Sequence, residues 1–342
     1  MTRGMVSRLA ACVRLAAAAA RASAVAAIIV APALAAADAP RDEPAAIDVD
    51  REVVPAGRTE LGFDGGAPVE GWGLSVSFGY LRSPILLRSP AFESAPVTRR
   101  ATLAIGGAVA LGDSAVVDAR FPFAWQEGDR LRIAGDPREL DRWVPGDLRV
   151  GGRVRVVHAG HGAVFLRAEL SLPTGDGRDF AGEASWSLAW SLIGRAQLPH
   201  GIVIAGTAGI RLRGAEVMLA DRIVGDELYG GLGVVVPVPP IRPLWCVADQ
   251  VKLTGEVVAI VGDDVAGKSG PSPAEVRFGL VTQPVPGITL GARFGTGLGD
   301  QIGAPRWRAT FELTYQGRGR LIPRADPESD PEPVDTSETT DL

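Results

Sequence analysis

The sequence predicts an all-β chain, an antiparallel transmembrane β-barrel of about twelve strands with both termini periplasmic. Three observations predict it. Large apolar residues alternate with small or polar ones in run after run between Gly71 and Gln316, as they do when side chains point to opposite faces of a strand. The connections between these runs are short and long by turns, the pattern of barrels with tight periplasmic turns and longer outer loops. The chain also carries 43 Gly and 26 Pro, residues that end helices and mark turns.

The elements follow in order. Arg3, Arg8, Arg14 and Arg21 precede an apolar stretch, and Ala33-Leu34-Ala35 and Ala35-Ala36-Ala37 both fit a small-x-small cleavage site, so residues 1–37 read as a secretory signal peptide. The apolar part falls short of the ~20 residues that span a bilayer. Residues 38–70 form an acidic, Pro-rich leader. Asp38 to Gly57 read as solvated, and Glu60–Phe63 as either a short edge strand or a plug-like segment.

The barrel itself is expected over 71–316. Trp72, Leu74, Val76, Phe78 and Tyr80 alternate with Gly73, Ser75, Ser77 and Gly79. Comparable runs cover 102–111, 117–125, 148–156, 164–172, 183–192, 202–213, 227–236, 247–257, 275–280, 288–294 and 306–315. Only Asp249 is out of place on an apolar face. Long polar connections follow the odd runs: Ser83–Arg99, Gln126–Gly146, Pro173–Ala181, Gly214–Ile223, Gly262–Pro271 and Gly299–Gly303. Short ones follow runs two, four, six, eight and ten. Residues 317–342 are acidic, Pro-rich and almost without apolar content, which predicts a disordered periplasmic tail.

The runner-up fold is a secreted, soluble β-sandwich. A sandwich's polar face meets water and carries Lys, Glu, Gln and Thr. Here that parity carries Gly, Ala and Ser interrupted by Arg and Glu, which suits the inside of a curved wall; isolated charges are costly in lipid and acceptable in a lumen. The candidate lumen-lining charges are Arg120, Arg149, Arg153, Arg155, Arg167, Glu169, Glu183, Arg211, Arg213, Lys252, Glu256, Glu275, Arg277, Arg293, Arg308 and Glu312, with Arg306, Asp118 and Glu227 on the same parity. Trp72, Trp125, Trp186, Trp190, Trp307 and Tyr315 fall on the apolar parity as candidate membrane-interface aromatics.

Several chemistries are excluded. The net charge is −5 and no basic block exists, which argues against nucleic acid. Cys12 falls in the signal peptide, leaving Cys246 alone. His158, His161 and His200 sit in or beside turns and complete no metal site. A phospholipase-type site would need a histidine on a strand near the outer leaflet. Ala266-Gly267-Lys268-Ser269-Gly270 lacks the first glycine and the strand-to-helix context of a phosphate loop. The chain therefore reads as no enzyme, with no cofactor and no metal.

Some turn motifs carry a resemblance. Ser171-Leu172-Pro173-Thr174-Gly175-Asp176 closes one run, Val224-Gly225-Asp226-Glu227-Leu228-Tyr229-Gly230 opens another, and Pro273-Ala274-Glu275 precedes a third. With Gly295-Thr296-Gly297-Leu298-Gly299 and Pro305-Arg306-Trp307-Arg308 they resemble the barrel region of myxobacterial-type outer-membrane proteins. Those barrels are often joined to an OmpA-like peptidoglycan-binding domain and are distantly similar to outer-membrane transporters of the phenol-degradation type. The resemblance covers Gly71 to Gln316 and implies a cell outer membrane location. This sequence departs from it at the C-terminus, where an acidic tail stands in place of the peptidoglycan-binding domain. The alternating Phe311-Glu312-Leu313-Thr314-Tyr315 resembles the signal read by outer-membrane insertion machinery.

The expected partners are thus outer-membrane lipid, that machinery and small solutes. The expected role is a porin-like or transport channel whose arginine excess biases it toward anions. The alternative is a closed structural or interaction barrel that displays its outer loops, with Arg/Glu ladders locking the lumen. Strand number leaves both open, because a barrel of this size is either filled or holds a narrow path.

Overall fold

A computed structural model of the chain describes residues 48, 61, 71–85, 87–89, 92–94, 96–112, 114–128, 140–219, 222–239, 251–262, 264–265, 268–269, 272–299 and 303–317. Twelve long strands form its wall: β1 (Trp72–Arg82), β2 (Arg99–Leu111), β3 (Ala115–Glu127), β4 (Leu148–Ala159), β5 (Gly162–Leu172), β6 (Ser187–Gln197), β7 (Val203–Arg213), β8 (Glu227–Pro237), β9 (Val251–Gly262), β10 (Ala274–Val285), β11 (Ile288–Gly297) and β12 (Trp307–Gly317). Each pairs antiparallel with the next. β1 also pairs with β12, from Trp72 opposite Gly317 to Arg82 opposite Trp307, so the sheet closes and leaves no edge. The segments read as a signal peptide, 1–37, and as an acidic tail, 318–342, lie outside the described residues.

Alternation sets the two faces. Leu74, Val76 and Phe78 on β1 and Leu103 and Ile105 on β2 are exposed on the outside, while Thr102, Ala104 and Ala108 are buried inside. The same holds around the wall, and the most exposed large residues of the twelve long strands, Leu232, Phe278 and Ile105, point outward. A continuous apolar belt of this extent is far beyond the patches a soluble monomer shows. Two bulges interrupt the pattern. In β4 the register slips between Arg155 and Val157. The apolar face expected to run through Val156 continues instead at exposed Val157. In β10 it slips between Thr282 and Val285, around Pro284, which has no N–H for the ladder.

Strand ends define two rims. Residues 112–114, 160–161, 198–202 and 286–287 make the short turns. The connection after β8 was expected to be short, with the next run starting at Val247; residues 240–250, on which that expectation falls, lie outside the described residues. Both the first and the last strand have their free ends, Trp72 and Gly317, at this short-turn rim.

The opposite rim carries long connections with their own small pairings. Leu87–Ser89 pairs with Phe92–Ser94, Val217–Leu219 with Arg222–Val224, and Asp264–Val265 with Lys268–Ser269. Trp143–Pro145 extends the wall alongside β3. The 173–186 connection folds back onto the rim. Gly175 N and Glu183 N each donate to the Asp147 carboxylate at 2.9 Å, and Arg100 Nη1 donates to Phe180 O at 2.6 Å.

A candidate lumen held by ion pairs and by its own leader

The wall delivers most of the expected charges to the inside, and it brings them together in clusters. Arg167 on β5 forks onto Asp118 of β3 at 2.7 and 3.1 Å and reaches Glu169 at 2.8 Å. It does so by lying across β4 at Gly151, where an added Cβ would sit 2.6 Å from Arg167 Nη2. Arg213 on β7 contacts Glu183 at 2.8 Å and Glu227 at 2.9 Å and donates to Gly225 O, while Arg211 lies 3.5 Å from Glu227. Glu275 on β10 accepts from Arg277 at 2.9 Å and from Arg308 of β12 at 3.1 Å. Arg293 on β11 meets Glu312 on β12 at 3.3 Å. Arg167–Glu169 and Arg277–Glu275 lie within one strand, but every cluster also holds a pair between different segments of the wall or its rim, so the clusters stitch the wall from within.

The remaining expected charges are placed as follows. Arg120 Nη2 donates to Ser77 Oγ at 3.0 Å. Arg153 lies over the Phe165 ring, 5.4 Å from its centroid, a cation–π contact. Glu256 is buried, and Arg155 and Lys252 are half-buried. Two expectations need correction. Glu183 stands in the 173–186 connection rather than on a strand, and it reaches the lumen because Arg213 draws it in. Arg306 is exposed just before β12 instead of facing the lumen. For Glu183, burial alone would raise the carboxyl pKa, but Arg213 and Arg211 outweigh burial and hold it below the ordinary range.

The aromatics mark both rims. Trp72 packs edge-on to Tyr315 at the short-turn rim, centroids 5.6 Å apart. At the other rim Tyr80 stacks on Trp307 at 5.0 Å and Phe294 on Trp307 at 6.1 Å. Trp125 pairs in register with Trp143, which stacks on Phe123. Trp186 precedes β6 instead of lying on it. It packs with Trp190, Leu172 and Leu188 against Ala168 and Leu170 on the outer surface.

Two leader residues were not expected here. Asp48, read as part of a solvated stretch, is 3% exposed and takes a contact from Arg149 Nη2 at 2.7 Å, with Arg100 Nη2 at 3.5 Å. Leu61 is fully buried at the far end of the lumen, against Val203, Ala205, Val235 and Val258. Its side chain occupies the space a Cβ on Gly233 would need, 2.9 Å away. Leu61 belongs to no strand; the rest of Glu60–Phe63, read as an edge strand or a plug-like segment, lies outside the described residues. Arg100 was missed as well. Carrying the alternation of β2 back two residues from Thr102 would have placed it inside. Asp48 offers no such signal, because a single acid in an acidic stretch has no period.

No protein family and no curated protein matches the chain. Solved structures do. An outer membrane channel from Pseudomonas putida F1 is 12% identical with a TM-score of 0.55, over 75% of this chain and 99% of that one. The NanC porin is 7% identical with a TM-score of 0.48, over 71% and 100%. The KdgM porin is 8% identical with a TM-score of 0.42, over 71% and 99%. The fold is that of the outer-membrane β-barrels. At these identities the likeness speaks for architecture, and the solute, if any, has to be argued from the lumen.

Proposed function

We propose that the chain is an exported, outer-membrane, porin-like barrel that passes small solutes and favours anions. The carrying observation is the excess of cations on the inward parity of the wall strands. Arg120, Arg149, Arg153, Arg155 and Lys252 lie there beside the arginines of the ion-pair clusters, against the inward wall carboxylates Asp118, Glu169, Glu227, Glu256, Glu275 and Glu312. Charged linings of one sign select ions this way. On this reading the short-turn rim, where the barrel strands begin and end, faces the periplasm. The narrower kinship with myxobacterial-type barrels rests on the turn motifs and belongs to the same proposal.

Planar-bilayer recording of the purified mature protein tests it. Expected are single-channel steps with anions preferred over cations, and a weaker preference after Arg120→Gln and Arg155→Gln together. A demonstrably folded barrel that gives no steps, with its leader or without it, overturns the channel reading. The closed-barrel alternative is favoured by the ion-pair clusters that bridge strands and by the presence of Asp48 and Leu61 inside the wall.

A further inference from the structure

Asp48 is a buried carboxylate that comes from the leader and not from the wall. Its surroundings are built without it. Arg100 is held by β2 and by the 173–186 connection: Nη1 donates to Phe180 O at 2.6 Å and Nε to Thr102 Oγ1 at 3.3 Å. Arg149 projects from the start of β4, one residue after Leu148, whose N–H donates to Thr174 Oγ1 at 2.8 Å. The Arg100 guanidinium, fixed by other elements, and the Arg149 guanidinium, carried on a wall strand whose backbone is tied to the rim, make a site for a planar anion, to which they donate charge-assisted hydrogen bonds. A small cavity adjoins it, lined by Asp48 and Arg149 together with Glu169, Ser171, Glu183 and Arg211.

We propose that Arg100 and Arg149 form a carboxylate-binding subsite at the long-loop end of the lumen. The leader's Asp48 occupies it as an internal ligand, and small monocarboxylates compete with Asp48 for it. The class follows from the neighbours. Asp147, Glu169 and Glu183 stand close by, so a second negative charge is opposed; burial, and then the charge of Asp48, push Asp147 up to about 7. A planar monoanion fits the two guanidinium groups, and a phosphate dianion does not. The internal ligand has a second hold. Leu61 is clamped on Gly233 by Val203, Ala205 and Val235. Tethering of that kind sets the effective concentration of Asp48 in about the millimolar range, which a free solute has to exceed. The subsite extends the channel reading to a class of solute, but its binding is measurable whether or not the barrel conducts.

The test is NMR titration of 13C-labelled acetate into the detergent-solubilised mature protein, with inorganic phosphate as the comparison anion. Asp48→Ala vacates the site and is expected to tighten acetate binding by about tenfold or more. Leu61→Gly, with Asp48 and both arginines intact, is expected to give a smaller gain by loosening the tether. Asp48→Ala combined with Arg149→Gln is expected to lose the gain. The proposal falls if Asp48→Ala binds acetate no more tightly than the parent while its β-sheet circular dichroism is unchanged. It also falls if the gain survives Arg149→Gln, or if phosphate binds the Asp48→Ala protein as tightly as acetate. Acetate binding as expected, together with silent bilayers, would leave the subsite standing and remove the channel.

Discussion

Asp147 shows how one side chain couples the lumen to the loop above it. Its two oxygens accept the backbone N–H groups of Gly175 and Glu183, which would favour the charged form. Ser171 Oγ is a longer contact at 3.5 Å. Burial and the facing charges of Asp48 and Glu183 work the other way and win, so the carboxyl titrates at about 7. A carboxyl whose folded pKa is raised binds more protons than its unfolded counterpart between about pH 4 and pH 7, so its linkage term makes stability fall as pH rises through that window and level off above it. The expected outcome is a thermal midpoint that drops between pH 5 and pH 8, by a term on the order of 2 kcal/mol. Asp147→Asn should flatten the slope, and scanning calorimetry at the two pH values reads it. A midpoint as steep in the variant as in the parent would take Asp147 out of the account.

At the scale of single elements, the turn between β6 and β7 is the tightest test of backbone geometry. His200 has φ 62° and Gly201 φ 76°, both in the left-handed region where a side chain is disfavoured. Gly201 is the residue such a turn asks for, but His200 is not, and it makes up for nothing visible, being exposed. His200→Gly is expected to raise unfolding free energy by up to about 1 kcal/mol, and Gly201→Ala to lower it by a similar amount, in urea titrations of the folded barrel. The wall elements were legible in the sequence because each strand has an apolar face that a period of two reveals; the expected runs at 148–156 and 202–213 overlap β4 and β7 almost fully. The small pairings of the long connections were not legible, since three residues such as Leu87–Ser89 are too few to show a period. The bulge at Arg155–Val157 was hidden for a related reason, because Val156 and Val157 are both apolar and the sequence does not say which one the register skips. The site was partly legible. Arg167, Arg213, Glu275 and Arg308 follow from strand parity, whereas their partners are set by which strands neighbour each other in the closed sheet. Asp48 and Leu61 depend on a tertiary fit that no local pattern encodes.

For the whole molecule, closure and the outward belt make one physical claim: the wall is solvated by lipid. Closure satisfies every ladder hydrogen bond without an edge, a condition for spanning hydrocarbon, and the paired aromatics at Trp72–Tyr315 and Tyr80–Trp307 stand at opposite rims, where a bilayer's interfaces would lie. The claim makes a prediction that depends on depth. Leu232 is 71% exposed in the middle of β8, opposite Gly206 and Val257. Val261 is 55% exposed but is the next-to-last residue of β9, at the long-loop rim. If lipid covers the belt, Leu232→Arg should cost about 2–4 kcal/mol of folding free energy in phospholipid vesicles, and Val261→Arg only about 0–1 kcal/mol, because the penalty for a cation falls from the midplane to the interface. Water around the same wall would make the two substitutions equally mild, since an arginine on a solvated strand face is not desolvated. Equal, small costs for the pair in vesicle-based guanidinium titrations would therefore place the belt in water and overturn the membrane reading. A steep difference fixes the membrane plane at the level of Leu232 and puts the Asp48 subsite at one mouth of the lumen and the Leu61 clamp at the other.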